Sequence, residues 1–276
     1  MASTLIQHPL NSRNQKYLGE LVKKSIESLA SVALGLGIAL NLITNPVKAA
    51  DHLNLEEGLP IEVEDAYPIP YKGRELQTII RYDRIDGNDI LLIEPRIEYG
   101  FAPNWQGRIA IPFEFGSEID DGIGDVGLEV FYNFNTEGLN TPAFALSLGV
   151  DLPTGEDSSG VDPTLKFIAT KTIGYEKLDR VHLNVAYTFN TDTEAEERDG
   201  QFTGVLGYSR RLNSETILLA DFVYEQEEHE DEDVFLLETG IRYQVDPRNV
   251  LAVGTGVGLN EDAPDFRLTF GWQSSF

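Results

Sequence analysis

Between Val181 and Phe189 every odd position is apolar, while the even positions hold His182, Asn184, Ala186 and Thr188. The same period of two runs from Asp125 to Phe134, with Val126, Leu128, Val130, Tyr132 and Phe134 on one parity. It returns near the end, where Phe266, Leu268, Phe270 and Trp272 oppose Arg267, Thr269, Gly271 and Gln273. Successive side chains of a strand point to opposite faces, so each segment predicts a strand with one oily and one polar face. From Glu75 onward the pattern yields about twelve strands: roughly 76–84, 89–101, 105–115, 124–134, 142–152, 163–173, 180–190, 201–212, 216–225, 234–245, 249–259 and 264–276. Clusters of Gly, Asp, Asn and Pro separate them. The predicted fold class is all-β, a single antiparallel up-and-down sheet.

A soluble sandwich and a transmembrane barrel both show this alternation. Strands of ten to twelve residues favour the barrel over the usual five or six. Aromatic residues gather near segment ends, among them Tyr99, Phe101, Trp105, Tyr132, Phe134, Tyr187, Phe189, Tyr224 and Trp272, as interfacial girdles require. From the third connection onward, odd-numbered connections are generally longer and more acidic than even ones. A barrel explains this with outer loops and periplasmic turns; a sandwich does not require it. Residues 75–276 are therefore read as an outer-membrane β-barrel.

Residues 1–49 carry a different signature. Arg13, Lys16, Lys23 and Lys24 precede the apolar run Leu29–Leu40, and Val47-Lys48-Ala49-Ala50 supplies small residues around a cleavage point after Ala49 or Ala50. This is the layout of a cleaved secretory signal peptide, and the run is shorter than the roughly 20 residues a membrane helix needs. Residues 50–74, with Pro60, Pro68 and Pro70, read as an extended periplasmic leader or plug.

Composition narrows the function. The 276 residues hold 46 Asp+Glu against 21 Lys+Arg, a formal charge of −25. Residues 1–50 contain five of the basic and two of the acidic residues, so the remainder carries 16 against 44, or −28. That excess argues against nucleic acid as a partner. Cys is absent, which removes disulfides, thiolate metal sites and cysteine nucleophiles.

The run Gly122-Ile123-Gly124-Asp125-Val126-Gly127-Leu128 and the strand end Leu148-Gly149-Val150-Asp151-Leu152-Pro153-Thr154-Gly155-Glu156 resemble the MetA-pathway of phenol degradation family of outer-membrane proteins. The basic leader and Glu56-Glu57-Gly58-Leu59-Pro60 look similar to cyanobacterial members. The resemblance implies a Gram-negative-type, porin-like outer-membrane barrel with a transport role and no catalytic residues to carry over. Locally, the Gly and Pro of both motifs suit chain turns, and no helix follows Gly124 to make a nucleotide site.

Charged positions inside strands must face the lumen, since a basic side chain in lipid costs roughly 2–4 kcal/mol near the midplane. They are Glu94, Arg96, Glu98, Arg108, Glu114, Glu129, Lys166, Asp221, Glu238, Arg242 and Arg267, joined by His182. They either line a channel or pair with one another and fill it. Lys171 sits on the apolar parity and is expected to snorkel to an interface. His182 has no sequence signature linking it to a nucleophile, so no enzyme activity and no cofactor are expected. Phe270, Trp272 and the terminal Phe276 resemble a signal for the barrel-assembly machinery, with Ser274 departing from it. The acidic stretches Asp192–Asp199 and Glu225–Asp233 are solvated loops, or bridge through Ca²⁺ or Mg²⁺ to lipopolysaccharide and outer-membrane lipid.

Two functions result. One is a passive channel or transporter for a small-molecule solute, through a charged, Gly-rich lumen about 10 Å wide at most, from a backbone diameter of roughly 24 Å. The other is a structural or envelope-interaction barrel with a filled lumen, binding divalent cations and surface polysaccharide. Solute identity is not encoded in these residues.

Overall fold

The computed structural model describes residues 50–116, 121–155, 158–193, 197–230 and 232–276. The predicted signal peptide, 1–49, lies outside the described residues, as do 117–120, 156–157, 194–196 and 231 in the predicted long connections, including parts of both acidic stretches.

Among the described residues twelve strands form: β1 (Arg74–Ile85), β2 (Asn88–Ala102), β3 (Trp105–Ala110 and Phe113–Gly116), β4 (Gly122–Ile123 and Val126–Asn133), β5 (Ala143–Leu152), β6 (Asp162–Ile173), β7 (Asp179–Phe189), β8 (Gly200–Arg211), β9 (Thr216–Gln226), β10 (Asp233–Asp246), β11 (Asn249–Gly258) and β12 (Phe266–Ser275). Each pairs antiparallel with its chain neighbours, and β1 pairs with both β2 and β12, so the sheet closes into a barrel. Every boundary falls within two residues of the expected one.

The interruptions in β3 and β4 were not expected. Pro112 has no N–H for the ladder, and its carbonyl accepts from Gly124 N at 3.0 Å. Across the break, Asp125 turns its carboxylate to the loop after β5, accepting from Gly155 N at 2.9 Å and Ser158 Oγ at 2.6 Å. Thr154 Oγ1 donates to Gly124 O at 3.0 Å and accepts from Val126 N at 2.9 Å. The two motifs that carried the family resemblance thus clasp each other at the rim.

Burial is inverted relative to a soluble protein. Leu206 is 62% exposed, while inward-facing Gln77, Glu98, Arg242 and Thr269 are fully buried. Apolar outside and polar inside is the arrangement of a lipid-facing barrel. Aromatic contacts form a belt at each end. Phe101, Trp105, Tyr132 and Phe134 run in sequence near the chain termini, with centroids 4.4–6.0 Å apart. At the opposite end Tyr187 packs on Phe189 at 4.8 Å and Tyr224 on Phe235 at 5.1 Å.

The end away from the termini carries the long connections 153–161, 190–199, 227–232 and 259–265, and the terminal end mostly tight turns. One exception, 134–142 at the terminal end, is tied down by Glu137, which accepts from Lys171 Nζ at 2.7 Å and Thr172 N at 2.8 Å.

Candidate functional site in the barrel lumen

Residues 50–73 make up the segment expected to be an extended leader or plug. They enter the lumen from the terminal end, turn back halfway and leave to begin β1. Ala50 N donates to Pro247 O at 2.8 Å at the entry. The turn is closed by Leu59 N to Glu56 O at 3.0 Å and Gly58 N to Ile61 O at 2.9 Å, and Asp65 N reaches back to Leu55 O at 3.0 Å. The prolines exclude this segment from a ladder, which is why its sequence reads as extended, but wall side chains replace the missing partners.

Those side chains act as a ladder by proxy. Glu62 N donates to Glu238 Oε2 at 3.2 Å, Val63 N to Asp221 Oδ2 at 2.8 Å and Ala66 N to Thr170 Oγ1 at 2.9 Å. Asn184 both accepts from Glu64 N at 2.8 Å and donates to Glu64 O at 2.9 Å. Hydrogen bonds to charged groups contribute about 1.5–3 kcal/mol each. Leu55, Ile61 and Val63 bury themselves against Val205, Ile217, Leu219, Val223 and Leu236, an apolar stripe on the inner wall.

The inner-face glycines serve this packing. A Cβ on Gly207 would lie 2.8 Å from Val63 Cβ, and one on Gly240 would lie 2.7 Å from Pro60 Cγ. These positions give backbone-level room to the leader.

Charge completes the seat. Lys166 Nζ lies 2.7 Å from Glu57, 2.6 Å from Glu64 and 3.5 Å from Glu129. Arg108 Nη2 lies 2.7 Å from Glu129 and 3.5 Å from Glu57. Glu62 is gripped by Arg81 at 2.6 Å and Arg267 at 3.1 Å, the latter also paired with Asp83. Burial pushes the Glu64 carboxyl up to about 7 against the pull of Lys166, and pushes Asp65 well above the carboxylate range despite Arg180. Burial raises Glu56 as well. Glu57 goes the other way: burial works to raise it, but Lys166 and Arg108 together bring it down to about 2.

Glu57, Glu64 and Glu129 bring carboxylate oxygens within 4.8 Å of one another, a spacing that could hold a metal ion. The Lys166 ammonium already stands among them, so a cation of the protein itself takes the central place. Part of the acidic stretches is likewise held by protein: Arg198 Nε donates to the carbonyls of Glu227 and His229 at 3.1 and 3.2 Å.

All twelve predicted lumen residues lie on inward-facing register positions, but they do different things. Glu98, Arg108, Glu129, Lys166, Asp221, Glu238, Arg242 and Arg267 gather around the leader; Arg242 Nη1 donates to Leu59 O at 3.3 Å. Arg96 donates to Glu57 O at 2.5 Å and pairs with Glu94. Glu114 stays exposed near the far rim. His182 is buried between Thr170 Oγ1 at 3.1 Å and Ser209 Oγ at 2.9 Å, and among the described residues no carboxylate is bonded to its ring. Arg81, Thr170 and the leader acids were not anticipated as site residues. One signal was present: in β9, Ile217-Leu218-Leu219-Ala220 is apolar on both parities, which demands an apolar neighbour inside as well as lipid outside.

Open space remains on both sides of the leader. Toward the long loops lies a vestibule of about 340 Å³, floored by Glu57 and Glu62. Toward the termini lies a cavity of about 300 Å³ lined by Leu53, Asp65, Tyr67 and Arg180.

A family model described as "Putative MetA-pathway of phenol degradation" matches residues 73–276. No curated protein matches the chain. Among solved structures, an outer membrane channel from Pseudomonas putida F1 is 14% identical with a TM-score of 0.61, covering 78% of this chain and 100% of that one. The NanC porin follows at 9% identity and 0.55, covering 74% and 100%. The KdgM porin, solved with disordered oligogalacturonate, is similar at 12% identity and 0.51, covering 72% and 99%. These likenesses establish a shared fold, the closed outer-membrane barrel.

Proposed function

The chain belongs to the MetA-pathway of phenol degradation family, and from that premise we propose that it is a passive outer-membrane channel for small molecules whose bore is set by its own leader. One observation carries the reading: cavities of about 340 and 300 Å³ lie in the one barrel, and residues of the leader line both of them. Its porin-like fold supports it. The long loops then face outward and the leader enters from the periplasm, because outer-membrane barrels keep their short turns there. The lumen residues bind, orient and pass solute; no catalytic step is assigned to them.

The chain has no cysteine, so a reducible bridge can be introduced cleanly. Ala66→Cys with Thr170→Cys spans a contact in which the Ala66 N and Thr170 Oγ1 are 2.9 Å apart. Liposomes carrying the oxidised protein are expected to admit small solutes slowly, and reduction to speed entry several-fold. A second reading, a filled structural barrel, draws on the depth of leader burial. It prevails if neither redox state conducts any solute.

Phe270, Trp272 and Phe276 are assigned to recognition by the assembly machinery. Phe270 and Trp272 project from the outer face of β12, which supports that role.

A further inference from the structure

Two side chains of the leader do something its packing does not require. Glu57 and Glu62 carry carboxylates at the tip of the inserted segment, on the floor of the vestibule. Each is met by a pair of basic wall groups. Lys166 and Arg108 hold Glu57 at 2.7 and 3.5 Å, and Arg81 and Arg267 hold Glu62 at 2.6 and 3.1 Å.

We propose that these paired cations form a binding seat for solute carboxylates, and that Glu57 and Glu62 are its resident occupants while the leader is inserted. The inference rests on the channel reading and names the solute class it favours: small organic anions bearing one or two carboxylates.

The charge around the vestibule supports the assignment. Its wall presents five basic groups, Arg81, Arg96, Arg108, Lys166 and Arg267, against four carboxylates. Glu57 and Glu62 bring the carboxylates facing these five bases to six, and each of the two sits on a pair of the bases. A solute carboxylate competes for the same guanidinium and ammonium groups, which present several directed donors each. Because the leader is tethered, it competes at a high effective concentration. Anion occupancy is thus coupled to tip withdrawal, and each opposes the other's alternative.

The test keeps the full chain and replaces only the occupants, as Glu57→Gln with Glu62→Gln. Proteoliposomes are assayed for entry of succinate and of erythritol, a neutral solute of the same carbon count, and a planar bilayer under a KCl gradient reports ion preference. The double variant is expected to raise the succinate-to-erythritol ratio about three- to tenfold and to shift the reversal potential toward chloride. Adding Arg81→Gln and Lys166→Gln to that variant is expected to return both readouts toward neutrality. An unchanged ratio, or a shift toward potassium, overturns the carboxylate seat while erythritol entry leaves the channel reading standing. Failure of erythritol and ions to pass in any of the proteins overturns both.

Discussion

The two halves of the lumen are built from the same strands with the same alternation, yet they behave as different materials. In the terminal half, wall side chains find backbone amides and apolar side chains of the leader: Asp221 takes Val63 N, and Ile217 and Leu219 join Ile61 in one buried cluster. In the half toward the long loops, the wall surrounds about 340 Å³ of space, with Arg81, Arg96 and Arg267 at its edge. An inward polar side chain is structural or solvating according to what stands opposite it. Parity alone does not distinguish the two.

The sharpest way to break this contrast is to remove the cation at the boundary. Lys166→Met takes from Glu57, Glu64 and Glu129 one of the two cations they share and leaves them Arg108 alone. Removing one member of a buried charge network costs about 3–5 kcal/mol, and here the loss falls on leader docking. Protease cleavage within 50–73 and solute flux are both expected to rise; a leader that stays protected would show that backbone pairing suffices.

Next comes a paired glycine comparison. Gly207→Ala places a methyl 2.8 Å from Val63 Cβ, whereas Gly149→Ala meets nothing closer than 3.7 Å. Overpacking costs roughly 1–3 kcal/mol, so only the first variant is expected to loosen the leader, read as faster hydrogen exchange at Val63 and Glu64. Equal effects at both sites would erase the distinction between the halves.

Acidity is expected to act more gently. The docked leader holds Glu64 at about 7 and raises Glu56 and Asp65, so it binds more protons than a released leader, whose carboxylates titrate near 4.5 and below. Its docking is therefore penalised as pH rises from about 4.5 through 7 and favoured as pH falls through that window. Glu57, brought down to about 2, contributes in the opposite sense, but its contribution is lost only below about 4.5. Flux is expected to be lower at pH 5.5 than at pH 7.5, and the reverse order would count against an acid-favoured plug.

The smallest effect belongs to the rim. Arg198→Ala unties the carbonyls of Glu227 and His229. Exposed contacts of this kind contribute about 0–1 kcal/mol. Heat-modifiable migration is expected to shift slightly, with flux unchanged.

The comparison also separates what was legible. The strands were readable to within two residues because the period of two is a local property, enforced on each segment by lipid on one side. Inward orientation of Arg108, Lys166 and Arg242 followed from the same parity. The breaks at Pro112 and Gly124 were visible as residues but not as a consequence, since the clasp between Asp125 and the loop containing Thr154 and Gly155 joins positions about thirty residues apart. The task of the glycines at 207 and 240 was not legible, because an absent side chain looks the same whether it admits solute or protein.

By itself the sequence determined a closed all-β barrel, its lipid face, its inward charges and a proline-rich segment ahead of β1. Only the tertiary structure decided that this segment occupies the lumen and that Glu57 and Glu62 meet cations there. The reason is range. The backbone amides of Glu62, Val63, Glu64 and Ala66 find wall acceptors 104 to 176 positions away, as in Ala66 with Thr170 and Glu62 with Glu238, and these contacts exist only once the barrel has closed around the leader.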